Sequence, residues 1–512
     1  MSLWRILERA ADRDPEGVAV ADGERRFTYR EARRRAEGVT AFFLRRGVRP
    51  GDRVAILDRN SEAFFTAYFA AARCGAILAP QNHRLAPPEL AAILRDASPR
   101  LLLAAEEFRE KVTGVRAAGA DPGEVVFIGG PDDGFEAAAR ADPGPSPPHA
   151  TRPPDVAHLY YTSGTTGRPK GVMLTERNVA VHAEWAVREL TLSRADIWGH
   201  VAPMFHLADA WAVFAITLAG GRHAILRDFE PAAALDLIDR ERITITNLIP
   251  VMLNRMLAHP RAAEIDAASL RLLLTGGSPI APSLVRRTVT TFRCGYAQTY
   301  GMTETSPYLT VSLLDARQRE FPDEERLRLI ARTGRPFGGV ELRVVDEAGH
   351  EVPRDDLTVG EIEVRGPTVT PGYWNRPEET AAAFREGWLR TGDLARVDGE
   401  GFVEIVDRKK DMILTGGENV FSIEVENVLY RHPGILEAAV AAAPDPVWGE
   451  VVRAFVVPRA GTVLDAEELR SFCRESLAGY KVPRIVTFLD ALPRTGSGKI
   501  SKRALRGMPV EG

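Results

Sequence analysis

An α/β fold is expected: a large amino-terminal part of layered α/β sheets with a small β-barrel-like unit, then a small mobile α+β domain at the carboxyl end. Three observations carry this. Short apolar runs of strand length alternate with helical patterns along most of the chain, as in sheets with crossover helices. After residue 340 the pattern changes to alternating strands joined by turn residues. A charged turn, "DRKKD" at 407–411, then precedes a compact tail.

The elements follow in order. "DRVAILDR" (52–59) reads as a strand and 61–74 as a helix. "GAILAP" reads as a strand, "APPELAAILRDA" as a helix and "RLLLAA" as a strand. The apolar stretch "AFFTAYFAAARCGAILAP" is broken by Arg73 and reads as a core helix entering a strand, not a membrane span. Residues 131–155 are dense in Pro, Gly and polar residues, so a mobile surface connector is expected. "HAILRD", "ITITNLIP" and "LRLLLTGG" are further strands. "VELRVVD", "GEIEVRG" and "GFVEIVD" form the small antiparallel or barrel-like unit. The expected domains are 1–407 and 408–512, with a hinge near Lys410, and no internal repeat is visible.

Composition narrows the function classes. Of 512 residues, 45% are apolar and 27% charged, which suits a globular protein with a sizeable core. A net charge of −4 argues against a broad nucleic-acid surface. Cys74, Cys294 and Cys473 lie far apart with no zinc or redox spacing, so no disulfide framework is expected. The charged first residues, "MSLWRILERAADRDPE", lack a signal-peptide core, and a cytoplasmic protein without transmembrane segments is expected.

The chemistry gathers around "YYTSGTTGRPKGVML" (160–174), a glycine-rich turn between two strands. Its glycines permit close approach, its hydroxyls and N–H groups donate hydrogen bonds, and Lys170 adds a positive charge. A polyphosphate fits that set. It is no Walker loop, because Pro169 stands where the second glycine belongs. "GSGKI" (496–500) also fails, with Pro493 at the first glycine and Ile500 in place of Ser or Thr.

The string "YTSGTTGRPKGV" resembles the phosphate-binding signature of the adenylate-forming superfamily, which includes acyl-CoA synthetases, luciferases and peptide-synthetase adenylation domains. Further signatures of that family follow in order: "PMFH" (203–206), "TGGSPI" (275–280), "QTYGMTET" (298–305) and "GWLRTGDL" (387–394). "VDRKKDMILTGGENV" (406–420) and "PRTGSGKI" (493–500) complete the set, which covers essentially the whole chain.

The resemblance implies an ATP-dependent acyl-CoA synthetase using Mg²⁺ and coenzyme A. It implies that Thr162, Ser163, Gly164, Thr165, Thr166, Gly167 and Lys170 hold ATP phosphates. Gly276, Gly277, Ser278, Gln298, Thr299, Tyr300 and Gly301 would flank the nucleotide, with Thr303 at the α-phosphate and Glu304 on the metal. Thr299 departs from the family, which more usually has glycine there. Asp393 and Arg408 would serve the ribose. His206, Trp211, Gly301 and Met302 would face the acyl group, and Lys410, Gly416, Gly417 and Glu418 the pantetheine arm of coenzyme A. Lys499 would be the catalytic residue of adenylation, with His206 and Thr303 beside the reacting groups.

The acid expected is a medium- or long-chain fatty acid, with an aryl acid next. An acyl-AMP ligase loading a carrier protein is the nearest mechanistic rival. A luciferase-like oxygenase and a non-catalytic nucleotide-binding relative are others. A homodimer is compatible with the sequence.

Overall fold

The computed structural model describes every residue except 131–132, 145–146, 163–168, 279, 495–499 and 510–512. Two compact units emerge. The first comprises Met1–Gly277, Pro282–Glu341 and Val364–Leu389; the second comprises Ser278–Ala281, Leu342–Glu363 and Arg390–Gly512.

Two sheets build the first unit. In the nine-stranded sheet, Gly295–Gly301, Leu272–Thr275, Ile245–Leu248, Ile197–His200, Arg222–Ile225 and Val18–Asp22 lie side by side in parallel. Antiparallel strands flank them, Tyr308–Val311 and Arg335–Pro336 on one side and Arg25–Thr28 on the other. In the six-stranded sheet, Glu124–Ile128, Leu101–Ala105, Arg53–Leu57, Ile77–Pro80 and Val156–Thr162 are parallel, and Lys170–Thr175 closes it antiparallel. The expected alternation of strand and helix therefore stands, because parallel strands need crossover connections.

One continuous core draws residues from both sheets and from two strongly apolar helices, Glu62–Cys74 and Leu207–Ala219. Every residue of Glu62–Cys74 is buried, as expected of a helix that is apolar all round. Ser61 caps its start by accepting from the Phe64 N–H, and Gly75 at φ +72° ends it in a left-handed turn that favours glycine.

One expectation needs correction. The segment read as a mobile connector contains a helix, Gly134–Arg140. Asp133 caps it by accepting from the Glu136 N–H at 2.8 Å, and Phe135 is buried in the main core. An N-cap, an alanine run and one apolar anchor outweigh the surrounding prolines and glycines.

The strands Glu341–Val345, Gly360–Arg365, Phe384–Arg385, Trp388–Val397 and Val403–Arg408 form a five-stranded sheet where the small antiparallel or barrel-like unit is expected, and most of it is counted with the second unit. The tail adds another sheet. There Glu418–Val420, Ile413–Thr415, Gly449–Pro458 and Ile435–Asp445 pair antiparallel, and Ile485–Phe488 joins in parallel. The helices Ser422–Leu429 and Ala466–Arg474 cover its core. Among the described residues no helix is long and apolar enough to cross a membrane.

Candidate active site

In the first unit, the glycine-rich loop connects two paired strands, with Thr162 opposite Lys170 at its base. Ser163, Gly164, Thr165, Thr166 and Gly167 lie outside the described residues. The Lys170 ammonium pairs with the Glu379 carboxylate and lies 5.2 Å from the centre of the Tyr373 ring. The Tyr373 hydroxyl donates to Glu304 Oε1 at 3.0 Å. Burial and the Glu304 carboxylate raise the Tyr373 pKa. Lys170 and Glu304, far apart in sequence, thus meet at one ring.

Glu304 sits in a short 3₁₀ turn, Thr303–Thr305, just past the strand that carries Tyr300 and Gly301. Its carbonyl accepts from the Thr370 N–H at 2.7 Å, and the Thr370 hydroxyl donates to the Met173 carbonyl at 2.6 Å. The segment after Thr368 therefore ties the acidic motif to the strand that begins at Lys170. Sequence reasoning missed Tyr373. Its only signal was an aromatic pair in "PGYWN", which also suits a turn.

The residues expected to flank the nucleotide differ in exposure. Gln298 keeps its carboxamide oxygen inside, accepting from the hydroxyls of Thr275 at 2.6 Å and Tyr296 at 3.0 Å. Thr299 is buried, and its hydroxyl donates to the Thr275 carbonyl at 3.0 Å. A Cβ at Gly276 would stand 2.5 Å from the Thr299 hydroxyl, so the glycine is what admits the threonine. Tyr300, Gly301, Met302 and Thr303 are partly exposed. Gly277 takes φ +83°. Ser278 is exposed and counted with the second unit.

His206 is the residue before the first turn of the helix Leu207–Ala219, and its carbonyl accepts from the N–H groups of Asp209 and Ala210 at 3.0 Å each. Trp211 is buried between aromatic rings: Trp198 at 5.0 Å, Tyr308 at 5.1 Å and His182 at 5.5 Å. Tyr308 pairs with Gly301 across the neighbouring strands. Trp211 and Gly301, both expected at the acyl group, thus converge on Tyr308.

In the second unit, Asp393 is buried beside Arg408, with carboxylate and guanidinium 3.3 Å apart on paired strands. Gly416 (φ +59°) and Gly417 (φ +89°) form the turn of a tight hairpin, a geometry that two glycines allow at no steric cost. Glu418 is exposed at its far side and Lys410 is exposed before it. Trp448, 42% exposed, lies against Gly416, where a Cβ would come within 2.5 Å of the indole. The Arg484 guanidinium covers the same ring at 4.7 Å. Neither contact was legible in the sequence, because both residues lie more than a strand away from Gly416. Lys499 lies outside the described residues.

The family model "AMP-binding enzyme" matches residues 7–374, and "AMP-binding enzyme C-terminal domain" matches 424–499. A feruloyl-CoA synthase from Amycolatopsis sp is 41% identical over 507 residues, covering 99% of this chain and 98% of the relative. The fatty acid–[acyl-carrier-protein] ligase ScoC of Streptomyces coeruleorubidus is 38% identical, covering 97% and 94%. The crystal structure of ATP-bound MatB from Rhodopseudomonas palustris superposes with a TM-score of 0.89 at 32% identity, covering 99% of this chain and 98% of that one. The chain belongs to the AMP-binding, adenylate-forming enzyme family, as an AMP-forming acid–thiol ligase.

Proposed function

We propose that the chain is an ATP-dependent acyl-CoA synthetase, and that its acid has a compact aromatic body. The observation that carries the coenzyme A reading is the partly exposed Trp448 beside the Gly416–Gly417 turn, with the Arg484 guanidinium over its ring. An aromatic face and a guanidinium suit the adenine and phosphates of coenzyme A. A carrier protein's phosphopantetheine has no adenine to stack there. The glycine turn suits the thin pantetheine arm that both acceptors share.

In this reading ATP and the acid first give acyl-AMP and pyrophosphate, and the thiol then displaces AMP. Adenylation is required because a carboxylate is a poor acylating agent, whereas AMP is a good leaving group. The loop 163–167 and Lys170 hold the departing phosphates, Thr303 meets the α-phosphate, and Asp393 and Arg408 serve the ribose. Mg²⁺ bound with ATP neutralises phosphate oxygens. Glu304 fits it as a single carboxylate ligand, since Mg²⁺ draws most of its ligands from phosphate and water. Among the described residues no cluster of three metal-ligating side chains exists, which suits an ion that arrives with the nucleotide.

The acid reading rests on the rings of Trp211, Tyr308, His182 and Phe337, which pack edge and face around one another beside Gly301. The rings are buried and back the strand at Gly301 through Tyr308, and a rigid wall backed in this way suits a flat acid. The apolar helix Leu207–Ala219 supports a medium- or long-chain fatty acid as the second reading. A panel from acetate to palmitate, with benzoates and hydroxycinnamates, decides between them by AMP release with and without coenzyme A. Coenzyme A-dependent turnover peaking on aryl acids is the expected result. A peak on palmitate installs the fatty-acid reading, and pyrophosphate exchange without coenzyme A-dependent turnover points to a carrier protein.

Trp448→Ala is expected to raise the KM for coenzyme A about tenfold, the loss of one exposed stacking contact. The KM values for ATP and acid should stay unchanged, as should activity with pantetheine, which lacks the nucleotide. Initial rates with each thiol check it, and an equal loss with pantetheine would remove the stacking role.

A further inference from the structure

We propose that Asp407 is a positioning residue, a latch that fastens the chain before Lys410 to the helices beyond it. The proposal rests on the two-step reading above, with reorientation of the tail about Lys410. On the upstream side the chain is anchored to its sheet. Leu394 pairs with Asp407 and Asp393 with Arg408, and the Lys409 N–H donates to the Gly392 carbonyl at 2.9 Å.

On the downstream side the short helix Lys502–Arg506 grips the turn. Arg506 donates to the Lys410 carbonyl and to Asp411, each at 2.8 Å. Lys502, one helical turn earlier, pairs with Glu426 at 2.8 Å and donates to the Ser422 hydroxyl. Ser422 gives both its donors to Asp407: the backbone N–H to one carboxylate oxygen, the hydroxyl to the other at 3.0 Å. Asp407 and Ser422 are both fully buried.

The connectivity dictates what must break. Arg506 ties the peptide plane that follows Lys410 to the tail, so φ and ψ of Lys410 are the nearest torsions left to turn. Asp407 precedes them and Ser422 follows them. Turning the tail about Lys410 therefore pulls Asp407 from Ser422, along with the backbone bonds of Asp411 and Met412 to the Arg408 carbonyl. Bonds to a buried carboxylate are stronger than the neutral bonds of the turn. The latch thus holds the conformer that contains it, and its strength sets the balance between the half-reaction that uses this conformer and the one that leaves it.

Ser422→Pro tests this with little cost elsewhere. Ser422 is the first residue of the helix Ser422–Leu429, where the N–H has no intrahelical partner and proline is favoured. The preceding Phe421 is extended, as a residue before proline must be. Asp407→Asn is the second variant and carries the same readouts should the first fail to fold. The first readout is trypsin cleavage after Arg408, Lys409 and Lys410, with fragments identified by mass. The second is the ratio of acyl-AMP formation to thioester formation from supplied acyl-AMP.

Both variants should raise hinge cleavage about fivefold or more, as expected when a local opening loses charge-assisted bonds, and should change the ratio in one direction. Unchanged cleavage overturns the latch. Raised cleavage with an unchanged ratio, or a parallel loss of both half-reactions, overturns its role in positioning. A wild-type protein that forms acyl-AMP but no thioester would instead overturn the proposed function, and the cleavage arm still decides the latch.

Discussion

Lys499→Ala is expected to lower the rate of acyl-AMP formation by about 10²–10³-fold, the usual scale for removing one group that stabilises developing charge. Thioester formation from supplied acyl-AMP should change little. The asymmetry follows from charge. In the first step an anionic carboxylate attacks the α-phosphate of a polyanion while pyrophosphate leaves, so a cation aimed at that centre is the main catalytic need. In the second step a thiol attacks a mixed anhydride and far less charge accumulates. Lys499→Arg keeps the charge on a larger, planar head, so it should recover only part of the loss. Acid-dependent pyrophosphate exchange reports the first step, and single-turnover thioester formation from acyl-AMP reports the second. Equal loss of both would remove the division of labour, and no loss in exchange would remove Lys499 from adenylation.

What was legible in advance was local. The strands "DRVAILDR" and "LRLLLTGG" announce themselves because parallel core strands read as apolar runs between turn signals. The loop at 160–174 was legible because its glycines, hydroxyls and lysine adjoin one another. The links between such pieces were not. Tyr373 reaches Glu304 across 69 residues of chain and meets Lys170 from farther still, and Trp448 reaches Gly416 only after the tail has folded. Asp407 reads as an ordinary charged turn residue until Ser422 and Lys502 are seen to surround it. Each partner set is created by tertiary packing, which leaves no spacing in the sequence. The helix Gly134–Arg140 was hidden differently, because the Pro and Gly density around it masked an Asp cap and a buried Phe135.

The same gap between sequence and structure underlies the largest stability effect expected. Asp209→Ala should destabilise the first unit by about 2–5 kcal/mol, because it leaves two buried groups, Trp198 Nε1 and His200 Nδ1, without a partner at about 1–3 kcal/mol each. Asp209 is fully buried, and its carboxylate meets His200 Nδ1 at 2.5 Å and accepts from Trp198 Nε1 at 3.2 Å. His200 Nε2 lies 2.9 Å from His223 Nδ1, and His223 Nε2 lies 3.0 Å from the Thr217 hydroxyl. The protons along this chain follow from its far end. Thr217 donates to the Val213 carbonyl at 2.6 Å, so it must accept from His223 Nε2. His223 is then neutral, in line with burial and the adjacent His200 pushing its pKa well down, and its Nδ1 must accept from His200 Nε2. The His200 Nδ1–Asp209 hydrogen bond completes the chain. Alanine removes it, leaving His200 Nδ1 and Trp198 Nε1 in the core without partners. Asp209→Asn should cost far less, because its amide can donate to Nδ1 of a neutral His200 while its oxygen keeps the Trp198 bond. Urea unfolding followed by tryptophan fluorescence, which Trp198 and Trp211 report from within this unit, measures both variants. Because Asp209 sits in the first turn of the helix that His206 precedes, Asp209→Ala should also loosen the side proposed for the acyl group and raise the KM for the acid before it affects that for ATP. Equal destabilisation by Ala and Asn would mean that the volume of the side chain, and not the ordered proton chain, holds this helix in place.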